Sequence, residues 1–103
     1  MLEPGNWHIW CAESGLLART RLKSEERFAL MLVDNELWDT TGLELVKYAR
    51  GLRERKTLPV VLFSIEDRER EAKAAGANEF LRKPHDLFLV VDTIRNLLAG
   101  GRK

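Results

Sequence analysis

The segment FALMLVDNELWDTTG, residues 28–42, places six consecutive apolar residues directly before Asp34, and a stretch rich in turn residues follows as far as Gly42. A continuous apolar run bounded by turn residues is typical of a strand that is buried on both faces of a parallel sheet. Ligands of open sheets of this kind bind beyond the carboxyl ends of the strands, which is where Asp34 stands. We therefore expect the functional centre of the chain at the end of this strand.

Predicted strands and helices alternate on both sides of this segment. WHIWCA (7–12) predicts a first strand, and Ser14 predicts the N-cap of a helix over 15–26. After Gly42 the apolar residues repeat with helical spacing. The remaining predicted elements are a strand VVLF (60–63), a charged helix over 66–77 that ends at Gly76, a strand over 80–82 and a helix over 86–98 capped by Asp86. This alternation predicts a single α/β domain over residues 1–103, with a mainly parallel four-stranded sheet and flanking helices.

The composition excludes several classes of function. Seventeen Lys and Arg against sixteen Asp and Glu give a net charge of +1, so we expect no nucleic-acid partner and no membrane partner. No apolar segment approaches the roughly 20 residues that span a bilayer. The single cysteine, Cys11, which we interpret as a buried strand residue, fits a reducing, cytoplasmic location. We interpret the basic cluster of Arg50, Arg53, Arg55 and Lys56 as a solvated helix end.

Predicted strands end at Asp34 and Ser64, and a third leads directly into Lys83. Parallel strands bring their carboxyl ends to one edge of the sheet, so we expect these side chains to lie together. A carboxylate, a hydroxyl and an ammonium suit phosphoryl transfer to the carboxylate, because the lysine and the hydroxyl can bind the phosphoryl oxygens. The alternative is that Lys83 only neutralises Asp34 at a surface edge, and the spacing does not decide between the two.

From position 7 to position 98 the chain resembles the receiver domain of bacterial two-component response regulators. Asp34 stands at the position of the phosphoacceptor of that family, and Gly42, followed by LEL, fits the family pattern D-x7-GLEL. PVVLFS, which ends at Ser64, resembles the strand that carries the Ser/Thr switch residue. AAGANEFLRKP resembles the segment that leads into the Lys-Pro pair, here Lys83 and Pro84.

The resemblance implies a flavodoxin-like receiver fold and a function in phosphorelay signal transduction rather than catalysis on a free substrate. By the same likeness Asp34, Ser64 and Lys83 form the site, Ser64 and Phe80 act as switch residues, and the bond before Pro84 adopts the cis form that X-Pro bonds allow. The implied partner is a histidine kinase or another signalling protein.

The departures from the family pattern concern the metal site. WHIWCAESG resembles the second strand and the start of the second helix of the family, so the first strand and first helix are missing from the resemblance. The acidic pair that coordinates Mg²⁺ in the family is missing with them. Asp34 and Glu36 then remain as weak candidate metal ligands, Glu13 offers a further oxygen, and Mg²⁺ binding is doubtful. Without the metal, the charge of an incoming phosphoryl group is poorly compensated, so we expect impaired phosphorylation.

Two further departures from the family pattern are bulky residues. Trp38 and Ile65 stand where the family usually has a proline and a small residue, and we interpret both as packing residues.

Three interpretations stay open. The chain is a receiver that passes phosphorylation of Asp34 through Ser64 and Phe80 to the last helix, a pseudo-receiver that acts as an interaction or dimerisation module, or a truncated or engineered receiver fragment. In the family strand order 2-1-3-4-5 the first strand lies between the second and third. WHIWCA therefore either fills the vacant slot beside residues 28–33 or leaves a gap. Because a gap exposes unpaired strand edges that another chain can fill, we expect a homodimer.

Overall fold

The sheet of the computed structural model, which describes residues 8–100, has its strands in chain order. The strands are β1 (Ile9–Ala12), β2 (Leu30–Asp34), β3 (Val60–Ser64) and β4 (Glu79–Arg82). Each pairs in parallel with the next one along the chain. The predicted parallel four-stranded sheet with flanking helices is confirmed, and Trp7 of the predicted first strand lies outside the described residues.

The crossover helices are α1 (Gly15–Lys23), α2 (Gly42–Arg50) and α3 (Glu69–Ala75), and α4 (Val90–Gly100) follows β4. Short 3₁₀ turns lie at Arg53–Arg55 and Leu87–Leu89. Ser14 caps α1 as predicted, because its hydroxyl accepts the Leu17 N–H at 3.2 Å. Gly76 ends α3 as predicted, with a φ of +112° that favours glycine. Asp86 does not cap α4 through its side chain, which instead accepts the Arg82 N–H at 3.0 Å.

β1 occupies the slot directly beside β2. Cys11 pairs with Leu32 and Ala12 with Val33, so no gap separates the two strands. Of the two arrangements that the sequence left open, the filled slot is the observed one. The unpaired interior edges from which we predicted a homodimer are therefore not present between β1 and β2.

The helices are divided unequally between the two faces of the sheet. Side chains of α1, α2 and α3 share one buried cluster with Met31 and Val33 of β2. The opposite cluster contains Leu30, Val61 and Leu81 of the sheet and is covered by α4. In this sheet each new strand along the chain is added at the same edge. Right-handed crossovers then place all their helices on one face, which explains why α1, α2 and α3 lie together.

The α4 face is incompletely covered near β1. Ile9 and Cys11 lie on this face, since their register partners Leu30 and Leu32 pack toward α4. Ile9 and Cys11 are both exposed, so the interpretation of Cys11 as a buried residue is wrong. Over residues 8–100, no helix has the length and apolar character needed to cross a membrane.

Candidate functional site

The carboxyl edge of the sheet brings Asp34, Ser64 and Lys83 together. Asp34 and Ser64 are the last residues of β2 and β3, and Lys83 directly follows β4. The Lys83 ammonium donates to Asp34 Oδ2 at 2.6 Å, in a contact that is partly shielded from solvent. Ser64 is fully buried. The sequence predicted this juxtaposition from the alignment of parallel strand ends, and the structure places all three side chains as expected.

Glu36 joins this group through a set of contacts that the sequence did not predict. Its carboxylate accepts the Ser64 hydroxyl at 2.6 Å and the Ile65 N–H at 3.2 Å, and one of its oxygens lies 3.4 Å from Lys83 Nζ. Its own N–H donates to Asp34 Oδ1 at 2.9 Å. The sequence feature that could have predicted these contacts is an Asp followed two residues later by a Glu. An aspartate that accepts the N–H of residue i+2 turns the chain back on itself, which brings the Glu toward the strand end.

A glycine lets α2 approach the end of β2. A Cβ at Gly42 would lie 2.5 Å from Leu62 Cδ1 and 2.8 Å from the Asp34 carbonyl oxygen. The buried Asn35 fixes this approach, since its side chain accepts the Leu43 N–H at 3.0 Å and its carbonyl accepts the Gly42 N–H at 3.1 Å. The start of α2 therefore sets the backbone position at Asp34.

The charges at the edge stabilise one another. The hydrogen bond to Asp34 is the main reason that the pKa of Lys83 is raised, and Glu36 adds to it. Desolvation acts to raise the pKa of Glu36, but the bonds from Ser64 and Ile65, together with Lys83, outweigh it, and the pKa is lowered. Both side chains are therefore held in their charged forms at neutral pH.

The predicted switch aromatic lies on the neighbouring strand. Phe80 is half-buried in β4, where it pairs with Leu62 and packs against the core beneath the first three helices. The bond between Lys83 and Pro84 is cis, as the sequence led us to expect. The structure thus places Phe80 on β4, one strand away from Ser64 on β3.

The described residues do not fit a Mg²⁺ site. Magnesium prefers near-octahedral oxygen ligands. Within residues 8–100, no group of three or more His, Cys, Asp or Glu side chains is arranged to hold a metal ion. The candidate ligands Asp34 and Glu36 both contact the Lys83 ammonium, so a cation already lies between their carboxylates.

The two bulky departures from the family pattern are surface residues. Trp38 is 83% exposed and Ile65 is 58% exposed, so the interpretation that they are packing residues is wrong. The Ile65 backbone contributes to the site through its N–H, which donates to Glu36 at 3.2 Å. Neither side chain fills the space above Asp34 as part of the core.

Curated proteins similar to this chain are signalling regulators, although no known family profile matches it. A chemotaxis protein CheY homologue of Campylobacter jejuni is 27% identical over 93 residues, which cover 87% of this chain and 72% of the homologue. The two-component response regulator ORR5 of Oryza sativa subsp. japonica is 30% identical over 87 residues, which cover 82% of this chain and 65% of that protein. The transcriptional regulatory protein CrdR of Helicobacter pylori is 33% identical over 88 residues, but these cover only 41% of its length.

Solved structures with a similar fold include a receiver domain and a response regulator. The signal receiver domain of a histidine kinase from Syntrophus aciditrophicus superposes with a TM-score of 0.73 at 21% identity, covering 91% of each chain. The phosphorylated cyanobacterial phytochrome response regulator RcpA gives a TM-score of 0.68 at 23% identity, covering 85% of this chain and 71% of the other. At these identities the likeness establishes the fold.

Proposed function

Because this chain belongs to the receiver-domain family of two-component response regulators, we propose that it serves phosphorelay signalling with Asp34 as its phosphoacceptor and with impaired phosphorylation. The observation that carries the proposal is the contact between Lys83 Nζ and Asp34 Oδ2 at 2.6 Å, at the edge where Ser64 also ends its strand. A lysine so placed can bind both an aspartate and the oxygens of a phosphoryl group attached to it.

The proposed step uses a carboxylate oxygen of Asp34 as the nucleophile. This oxygen forms a bond to the phosphorus of the donor, the bond from phosphorus to the donor atom breaks, and the donor keeps the electron pair. Lys83 offsets the negative charge of the transferred group, and the Ser64 hydroxyl donates to one of its oxygens. The proposed switch role of Ser64 and Phe80 is to pass the change from β3 to β4, where Phe80 packs on the face of the sheet opposite α4.

Impaired phosphorylation is supported by the way the Lys83 charge is already engaged at the edge. In the described part of the chain, Lys83 is already shared between Asp34 and Glu36, and no metal-binding group accompanies them. An incoming phosphoryl group brings further negative charge, which this single ammonium compensates only in part. The proposal therefore assigns no role to Mg²⁺, and the test compares phosphorylation with and without it.

The proposed partners are a histidine kinase or another signalling protein and a second copy of the chain. The proposal also includes a cytoplasmic location, supported by the single cysteine, and a signalling role without catalysis on a free substrate. Neither nucleic acid nor a membrane is a proposed partner, since the net charge is only +1.

A second candidate function is that of an interaction module that works without phosphorylation. The observation that favours it is a set of exposed apolar side chains in the 3₁₀ turn before α4 and in the first turn of α4, where Leu87 is 40%, Phe88 81% and Val91 57% exposed. Apolar residues grouped in this way mark surfaces that bind other proteins. Such binding would need neither Asp34 nor a donor.

The test of the phosphoacceptor role is the intact mass of the protein after incubation with acetyl phosphate, with and without Mg²⁺. We expect the parent to gain one phosphoryl group slowly and Asp34→Asn to gain none. A kinase-driven transfer to the parent but not to the variant would support the same assignment. If the parent gains no mass from either donor, the interaction module becomes the preferred function.

A further inference from the structure

Three hydrogen-bond donors converge on one carboxylate group beside Asp34. They are the Ser64 hydroxyl, the Ile65 N–H and the Lys83 ammonium, and we call them together the anion cradle. All three approach the same carboxylate, that of Glu36, at 2.6, 3.2 and 3.4 Å respectively. Two neutral donors and one cation directed at one group form a site for an anion.

The backbone after β2 delivers Glu36 to the cradle. Asp34 Oδ1 accepts the Glu36 N–H at 2.9 Å, which turns the chain back over the sheet edge. An isolated bridge between Glu36 and Thr41 closes the loop behind it. Because Thr41 is the N-cap of α2, the loop is anchored at both ends and the carboxylate is held in place by local structure.

The cradle donors are also those that a phosphoryl group on Asp34 would need. Lys83 contacts both Asp34 and Glu36, so one donor of the cradle is also hydrogen-bonded to the proposed phosphoacceptor. The buried Ser64 hydroxyl can donate only one hydrogen bond, and Glu36 receives it. A phosphoryl oxygen and the Glu36 carboxylate therefore cannot both accept that bond.

We propose that the Glu36 carboxylate is an internal ligand of the anion cradle, which takes the place of a phosphoryl group and must leave before one can bind. The proposal rests on the proposed function, because it interprets the cradle as the phosphoryl site. It has two consequences. Glu36 competes with external phosphate, and it keeps the Ser64 hydroxyl directed toward the site when Asp34 is unmodified.

The test is a titration with inorganic phosphate, followed by the ¹H–¹⁵N NMR signal of the Ile65 amide. The proteins are the parent, Glu36→Ala, Glu36→Gln and the control Glu66→Ala. Glu66 is a suitable control because its side chain contacts Arg68 rather than the cradle, and its removal changes the net charge by the same amount. Glu36→Gln keeps the size of the side chain and guards against a folding defect in Glu36→Ala.

Loss of the charged internal ligand should tighten phosphate binding roughly tenfold in both Glu36 variants, as expected for removal of one charge-assisted competitor. Glu66→Ala should bind phosphate as the parent does. Without phosphate, the Ile65 amide of Glu36→Ala should exchange with solvent roughly tenfold faster than that of the parent, since its acceptor is gone.

Equal phosphate affinity in the parent and the Glu36 variants would overturn the proposal, and so would the lack of saturable binding at Ile65 in both variants. An equal gain in Glu66→Ala would also overturn it, because net charge would then explain the effect. The titration forms no bond to Asp34. A negative titration would therefore contradict only the role of Glu36 and not the acceptor role of Asp34. A negative mass experiment would contradict the acceptor role of Asp34 and would not affect the result of the titration.

Discussion

Arg55 links the end of α1 to the residues that precede β2. Its Nε donates to the Leu22 carbonyl at 2.9 Å, and its Nη2 donates to the carbonyls of Ser24 and Glu26 at 2.9 and 2.8 Å. The guanidinium also lies 4.5 Å from the centre of the Phe28 ring. Arg55 is buried, so the interpretation of the basic cluster as a solvated helix end is wrong at this residue.

We expect Arg55→Lys to lower the free energy of unfolding by about 1.5–3 kcal/mol, because a single ammonium cannot reach the acceptors that the planar fork binds. The measurement is chemical denaturation. The matched control is Arg53→Lys at an exposed position of the same 3₁₀ turn, where a change within about 0.5 kcal/mol is expected. Equal losses in the two variants would contradict the assigned role of Arg55.

The three strand-end residues could be predicted from the sequence because their positions follow from the sheet alone. Asp34, Ser64 and Lys83 each stand at the end of a predicted strand, and parallel pairing brings such ends to one edge. The contacts of Glu36 and Arg55 could not be predicted in this way. They depend on how loops fold over the sheet, and a single charged residue in a loop carries no periodic signal.

At the level of elements, the loop between β2 and α2 caps a helix that precedes it in the chain. Asp39 of this loop accepts the N–H groups of Gly15 and Leu16, the first two residues of α1, at 2.8 and 3.1 Å. A Cβ at Gly15 would lie 2.5 Å from Thr40 Cγ2, so the loop and the helix are in close contact. The loop that carries Glu36 is therefore also anchored through α1.

The stability of the fold should depend on pH because the Asp39 carboxylate caps α1. The hydrogen bond from the Gly15 N–H is the main cause that lowers the pKa of Asp39. A carboxyl group whose pKa is lower in the folded state stabilises the fold above its unfolded pKa of about 3.9, and this stabilisation is lost as the pH falls through the folded value. Asp39→Asn should therefore have a lower melting temperature than the parent at neutral pH, and the difference should shrink below roughly pH 4.

The comparison of melting temperatures needs a control for general charge effects. Glu44→Gln removes one exposed carboxylate from the first turn of α2, where its side chain lies 3.6 Å from Lys47. Its effect should be smaller, since exposed pairs contribute little. A difference between the parent and Asp39→Asn that persists unchanged to roughly pH 2 would contradict the prediction, because the carboxylate would then not be its source.

At the level of the whole molecule, the filled slot beside β2 changes the basis on which a homodimer is proposed. Among the four strands within residues 8–100, the sheet has no interior gap for a second chain to fill. Exposed apolar side chains on or beside the α4 face include Ile9 of β1 and Leu87 and Phe88 of the 3₁₀ turn before α4. A second copy that covers this surface would complete the face that α4 leaves partly open, so we retain the homodimer as a proposal on this ground.

Equilibrium sedimentation at micromolar concentration should give the parent a mass above that of the monomer. Phe88→Ser should shift the protein toward the monomer, because it removes the most exposed apolar side chain of the 3₁₀ turn before α4. Leu16→Ser is the control, since Leu16 is 69% exposed at the opposite face, on α1. A parent that sediments as a monomer would end the proposal, and equal shifts in both variants would place the interface elsewhere.

The chain-order sheet also bears on how the protein reaches its native state. Each strand of the described sheet pairs with the next one along the chain, so no pairing has to span more than one crossover connection. During synthesis each βα unit can add to an edge that is already formed, and no strand has to enter between two paired ones, as the order 2-1-3-4-5 requires. α4 can pack only after β2, β3 and β4 have paired, because its binding surface consists of side chains from all three strands.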